Sequence, residues 1–518
     1  MKAIIRLFLV PILCLLFIYS TLFVTDLKSE KLSEYDYTLL KVCEGVIQLF
    51  KQLPDSVWPG YNLAEKPFMV YMPGKWALLF SHSEEIDGFT LYPEDWPDLG
   101  TDLLFHPGQY RDLAGQLAFD LSIDRVKVTA VPFMEESEVD FFGFIVHENF
   151  HQYQYDAFGE IAWEREERYP IQDKENTALA YLEMRLLMDA LEMTKADNEK
   201  KCAEYVKQFV AVRNHRWKQS SPFVARYEQG QEINEGTAKY VEIKSIYLLR
   251  QLKYNSSLRD LTSTLSEDFS SISIPEYLLK DFQERITANS ISPEDMSRYR
   301  VYPVGSAQGF LLDYFHIDWK NKAQQAGPEF TFAQLFRDHL GIAESQLEDL
   351  LKEAKSNYGY EEALASTDSL IREYLAGYNR ELESFEAQPG YRIEIDLSSR
   401  GLRRSRSSSA RKWMVDKGSR ELRRHFNIYV LENKDLLLQV QDTGLFEQND
   451  WDNKIKKVVF FIPEITSISL DGKPLELTEG TLYQFRNIEM LGKNLKLSYS
   501  KSGTITISDR KVRINLIP

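Results

Sequence analysis

The chain has 518 residues, of which 43% are hydrophobic and 13% aromatic; this supports roughly two to four cored domains and excludes a mostly disordered polypeptide. Its 62 basic residues against 78 acidic ones leave a net charge of -16, so the chain as a whole is a poor nucleic-acid binder, because phosphate contacts need Lys and Arg. Three cysteines, Cys14, Cys43 and Cys202, are too few for a disulfide framework; Cys43 and Cys202 read as buried free thiols, with a pair in an oxidising compartment as the alternative.

Lys2 and Arg6 precede an uncharged run over residues 7–24, which Thr25, Asp26 and Lys28 end. Residues 1–28 therefore read as a signal peptide or an uncleaved membrane anchor. Tyr19-Ser20-Thr21 is the candidate cleavage region, and Leu13 before Cys14 speaks against a lipoprotein signal. Basic residues ahead of the run keep the N-terminus inside and export the chain beyond Lys28. The expectation is an exported protein, anchored by this segment or secreted or periplasmic. No second stretch is apolar enough to span a bilayer.

Residues 36–52 read as the first helix, and 68–81 as two strands around Pro73-Gly74. Residues 125–131 set Val126, Val128 and Ala130 against Lys127 and Thr129. They read as a strand, placed at a sheet edge where an extended peptide could pair. From 141 to 252 the pattern is helical, with long runs at 178–191 and 233–252, and helical periodicity returns at 305–315 and 345–384. Gln388-Pro389-Gly390 breaks the chain. Beyond it, Tyr391, Ile393, Ile395 and Leu397 alternate with charged residues. Further strands read at 427–431, 435–441, 457–462, 466–470, 494–499, 503–507 and 511–516, with a hairpin at Asp471-Gly472. Residues 391–518 thus read as a separate β-sandwich-like module. Within it, residues 400–424 carry ten basic and two acidic residues, the pattern of a solvated loop or of a contact for anionic lipid or an acidic partner.

The strongest chemical signal is His147-Glu148-Asn149-Phe150-His151. On a helix the two histidines lie one turn apart on one face, so both imidazoles can reach one zinc ion, and Glu148 sits where a carboxylate can take a proton from water. A catalytic zinc needs a third protein ligand and an open fourth position. The extended form H-E-x-x-H-x-x-G-x-x-H fails, since Gln154 stands at its glycine and Ala157 at its third histidine, so a carboxylate is sought. Glu235 in Asn234-Glu235-Gly236-Thr237-Ala238-Lys239-Tyr240 is the first candidate, because Gly236 and Ala238 would let its helix approach the zinc helix closely. Glu175 and Glu183 remain alternatives.

The pair H-E-x-x-H and N-E-G-x-A-x-Y resembles the gluzincin metallopeptidases, in the style of the M1 aminopeptidases. The resemblance spans residues 141–242 and implies Zn2+ held by His147, His151 and Glu235, with Glu148 as the base. The pattern departs in spacing, since 84 positions separate His151 from Glu235, and Pro170 and Ile171 stand where a compact gluzincin puts its glutamate. Glu175-Asn176-Thr177-Ala178 also resembles the E-N-x-A-D element of neprilysin-like peptidases, with Leu179 in place of the Asp. Phe133-Met134-Glu135-Glu136 is a poor parallel to the aminopeptidase G-x-M-E-N element, having neither its Gly nor its Asn.

An oxyanion donor opposite the metal is sought among phenols, imidazoles and guanidiniums. Tyr302, in Arg298-Tyr299-Arg300-Val301-Tyr302, is the first candidate and Tyr240 the second, while His215 reads as a surface residue. The expected fold is α+β, with a mainly helical zincin-like metallopeptidase domain over 35–385 and the β-rich domain over 391–518. The expected activity is zinc-dependent hydrolysis of peptide or protein substrates outside the cytoplasm. An inactive exported scaffold on the same shell and a zinc hydrolase of non-peptide amides are the rivals.

Overall fold

The structure, a computed structural model, describes residues 34–72, 74–94, 96, 98–108, 110, 120–133, 138–159, 166–251, 273–287, 293–398, 402–403, 405–407, 411–450, 452, 454–476 and 478–517. The candidate leader over 1–28, Met134–Glu136 and part of the basic segment lie outside these residues. Among the described residues, no helix is long and apolar enough to cross a membrane. The protein is mixed α/β, with a helical region and a C-terminal curled β-sheet. Compactness divides the described chain into two units, residues 34–166 with 174–366, and residues 167–173 with 367–517.

In the first unit, α1 (Glu34–Gln52) precedes six strands: β1 (Phe68–Met72), β2 (Trp76–Phe80), β3 (Thr90–Leu91), β4 (Leu103–Pro107), β5 (Asp120–Ile123) and β6 (Val126–Pro132). They form one sheet in the order β3-β4-β2-β1-β6-β5, with β1 and β6 parallel and the other neighbours antiparallel. All ten residues of β1 and β2 are buried because the sheet is covered on both faces. Phe68, Val70, Leu78 and Phe80 join the main helical core, whereas Met69, Tyr71, Ala77 and Leu79 join a smaller core with Ile86, Phe89 and Val128. The 125–131 strand is therefore real but is not an edge. β5 pairs with Val126–Thr129 on the side that the sequence reading leaves free for a peptide.

Next come the helices α2 (Glu138–Ala157), α3 (Lys174–Lys195), α4 (Glu199–Gln219), α5 (Pro222–Gln231), a π-turn (Glu232–Gly236), α6 (Thr237–Gln251), α7 (Ile274–Thr287), α8 (Pro293–Ser297) and α9 (Val301–Tyr314). Acidic Glu138 and Asp140 complement the dipole at the start of α2. That helix is apolar on most of its circumference, and so it is buried, in contact with α1, α6 and β6. Trp58 packs edge-on against Trp319 and Tyr240 and tilted against Phe150, which fixes the depth of α2 in the core. Cys43 and Cys202 are buried and free, in line with the sequence reading.

In the second unit the helix Tyr360–Glu386 crosses the division at Thr367. Its later half packs on β-structure: a Cβ at Gly377 would lie 2.7 Å from the Trp413 ring, and Phe385 meets Phe461 edge-on. The strands beyond Gly390 join a single thirteen-stranded curled sheet rather than two separate facing sheets. Its long strands Arg420–Glu432 and Leu436–Asn449 carry the ladder onward through a bulge between Arg423 and Phe426. Asp471 and Gly472, both at positive φ, form the expected two-residue hairpin turn. The basic segment is not simply a solvated loop. Residues 411–415 pair with 420–424, and Arg423 is buried against Glu421 at 2.6 Å.

Candidate metal centre

His147 and His151 project from one face of α2, their ring centroids 4.9 Å apart. Glu235 arrives from the π-turn. One of its carboxylate oxygens lies 3.4 Å from Nε2 of His147 and 3.4 Å from Nε2 of His151. These separations exceed the ~2.7–3.2 Å of good hydrogen bonds. They match the roughly 3.4 Å edge of a tetrahedron whose bonds are about 2.1 Å, the length of zinc bonds to imidazole and carboxylate. The donor set therefore fits a zinc-sized cation.

Glu148 also brings a carboxylate oxygen within 4.8 Å of a nitrogen on each imidazole, so proximity alone offers two carboxylates. One oxygen of Glu235 is equidistant from the two Nε2 atoms, which makes this residue a candidate third donor beside them. Glu148 lies next to His147 on the same helix.

Each imidazole is oriented from its far side. Nδ1 of His147 meets Glu242 at 3.1 Å, and Nδ1 of His151 meets Oε1 of Gln154 at 2.7 Å. Such partners hold a histidine in the tautomer that points Nε2 at a metal. Glu242 reaches His147 because Gly143 of α2 leaves room; a Cβ there would lie 2.9 Å from Cγ of Glu242. Gly236 has a different role from the one read in the sequence. It faces α9, not the zinc helix, and its hypothetical Cβ would lie 2.6 Å from Cα of Gly305.

Burial opposes charge on His147, but Glu235 and Glu242 overcome it and raise its pKa to about 9. His151 is raised too, burial again opposing and Glu235 prevailing. The same contacts hold Glu235 well below the usual carboxylate range and push Glu242, which Lys239 also neutralises, down to about 2.

Tyr302 comes from the first turn of α9. Its ring lies nearly parallel to that of His147, 5.8 Å between centroids. Burial raises its pKa, Glu235 and Glu148 add to this, and Arg298 opposes, so it remains a proton donor. Tyr240 goes elsewhere: its hydroxyl bonds Asp313 while its ring packs among Trp58, Phe310 and Trp319. Glu183 is engaged by Arg213 and Arg216 in a buried cluster, not by the histidines. Glu175 is exposed in the first turn of α3, and His215 is half-buried on α4.

Two residues escaped the sequence reading. Glu242 lies two helical turns beyond Glu235 on the same face, a spacing that could have marked it. Gln154 lies one turn beyond His151 and stands out in the sequence only as the wrong residue for the glycine of the extended motif. No family model matches the chain, and no curated protein or solved structure is detectably similar to it.

Proposed function

We propose that this chain is a zinc-dependent metallopeptidase with a zincin-like catalytic unit, acting outside the cytoplasm. His147, His151 and Glu235 hold the ion. The observation that carries this reading is the equal 3.4 Å separation of one Glu235 oxygen from both Nε2 atoms, across 84 positions of sequence. Zinc, when bound, supplies Lewis-acid polarisation of a carbonyl and acidifies water. Glu148 takes the proton of the attacking water and passes it to the leaving amine. The Tyr302 hydroxyl, beside Glu235, donates a hydrogen bond to the oxyanion that develops on the carbonyl. Glu242 and Gln154 keep both imidazoles in one tautomer, so the donors do not reorganise as charge develops. The export reading rests on the apolar run at 7–24 behind Lys2 and Arg6.

The test is a peptide-library digest by the full-length chain, with chelator-treated and zinc-restored samples and Glu148→Gln as control. Cleavage that chelation removes, zinc restores and Glu148→Gln lacks supports the proposal. A zinc-loaded chain that cleaves no peptide but releases product from non-peptide amides moves the activity to that class. Zinc without any turnover favours the scaffold.

A further inference from the structure

We infer that Gln154 is the positioning residue of this centre: its single amide sets the tautomer of His151 and also holds the π-turn that aims Glu235. The inference rests on the proposed metal centre and concerns how the chain builds it.

The segments α5, π-turn and α6 form one continuous helical rod. A π-turn inserts one residue into such a rod. It is rare because the wider turn draws carbonyls away from their usual partners. One inserted residue also rotates the rest of the rod by about 100°, the angle per residue of an α-helix. Glu235 lies inside this turn. Relaxation to a regular α-helix would swing its carboxylate away from the imidazoles.

Gln154 adds a second donor to two carbonyls of this turn. Its Nε2 donates to the carbonyl oxygens of Ile233 at 3.0 Å and Asn234 at 2.8 Å, and lies 2.7 Å from Oγ1 of Thr237. The Thr237 hydroxyl donates in turn to the Ile233 carbonyl, so its oxygen is free to accept. Three oxygens around Nε2 decide which way the amide faces. Oε1 must then point at His151, 2.7 Å from Nδ1. Nδ1 carries the proton, and the lone pair of Nε2 faces Glu235. Gln154 is 1% exposed, so water does not compete for these bonds. From the opposite side the turn is tied down by Glu232, which accepts from Arg213 at 2.7 Å and from Gln308 at 2.9 Å.

The two roles separate chemically. Gln154→Glu keeps an acceptor for His151 but turns a carboxylate oxygen on the Ile233 and Asn234 carbonyls. Gln154→Met fills similar space and removes both roles. Zinc affinity of the full-length chain is measured by competition with a chromophoric chelator, beside Tm and 15N histidine spectra of the metal-free protein at alkaline pH, where the imidazoles are neutral. Both variants are expected to bind zinc about 10–100-fold more weakly than the parent. Gln154→Glu keeps the Nδ1–H tautomer of His151, and Gln154→Met loses it. In a Glu235→Ala background the effect of Gln154→Glu is expected to shrink to within about threefold, since no carboxylate is left to aim; a merely structural role would leave it unchanged. If Gln154→Met does not fold, the nearly isosteric Gln154→Glu decides. Parent-like zinc affinity in Gln154→Glu overturns the inference and leaves the metal reading standing. A parent that takes up no zinc overturns both.

Discussion

Gly236 and Gly305 touch backbone to backbone: a Cβ on either would lie 2.6 Å from the Cα of the other. The contact lets the π-turn and α9 cross without side chains between them. It thereby brings Glu235, one residue before Gly236, beside Tyr302, one turn before Gly305. Gly305→Ala should force the two elements apart, at a cost of about 1–3 kcal/mol in stability. Zinc affinity should fall with it, because Glu235 moves with the turn. Urea unfolding and zinc titration of the variant check both parts; unchanged zinc affinity in a destabilised protein would show that the crossing does not position Glu235.

Glu148 lies beside both imidazoles, and the proposed function makes it the base rather than a ligand. Glu148→Gln should therefore retain about one zinc per chain while turnover drops by roughly 10²–10⁴-fold, the usual contribution of a general base. Loss of zinc in this variant would make Glu148 a ligand instead.

Glu242 is 9% exposed and bonds Nδ1 of His147 while pairing with Lys239. Removing it leaves that imidazole free to change tautomer and leaves Lys239 without its carboxylate. Glu242→Ala should weaken zinc binding about 10–100-fold, as outer partners of ligating histidines commonly do. Glu242→Gln, which still accepts from Nδ1, should lose less. Equal affinity in the parent and both variants would contradict the assignment.

Behind the π-turn, Arg213, Arg216 and Arg300 meet Glu183, Glu228 and Glu232 in full burial. Burial alone would raise the pKa of Glu183 and Glu228. For Glu183 the charges of Arg213 and Arg216 overcome burial, and for Glu228 those of Arg216 and Arg300 do, so both stay below the ordinary 4.5. Their contribution to stability is complete above pH 4.5 and is lost as pH falls through the depressed folded values. For Glu232 burial wins over Arg213 and the shift is upward, so its smaller contribution has the opposite sign. The urea midpoint should thus drop steeply below pH 4.5. Glu183→Gln should cost about 3–5 kcal/mol at neutral pH by leaving buried charge uncompensated, and should flatten the acid limb. A midpoint that does not change between about pH 6 and about pH 3 would rule this out.

The histidine pair was legible because a 3.6-residue period places His147 and His151 on one face, and Glu235 because Asn234-Glu235-Gly236 stands out in a long helical run. The π-turn was not legible: the run at 233–252 reads as unbroken helix, and the bonds that hold the turn come from other helices, from Gln154 to its carbonyls and from Arg213 and Gln308 to Glu232. The choice among Glu235, Glu175 and Glu183 likewise depends on which helices meet. Local pattern found the strands at 68–81 and 125–131 and most of those beyond Gly390, but not 411–415, 482–485 or 488–492. It did not find β5, so it left β6 at an edge. Sheet closure is a matter of long-range register, which alternation cannot report; hence two facing sheets were expected where one curled sheet forms.

The central claim is that His147, His151 and Glu235 hold one zinc ion. Mass-spectrometric metal analysis of the full-length chain and of Glu235→Ala, Glu175→Ala and Glu183→Ala, all folded and zinc-supplemented, tests it most directly. The account predicts about one zinc per chain in the parent and in Glu175→Ala, and a severe loss in Glu235→Ala. In Glu183→Ala, stability should fall more than zinc content. Full zinc occupancy in Glu235→Ala, or none in the supplemented parent, would contradict it.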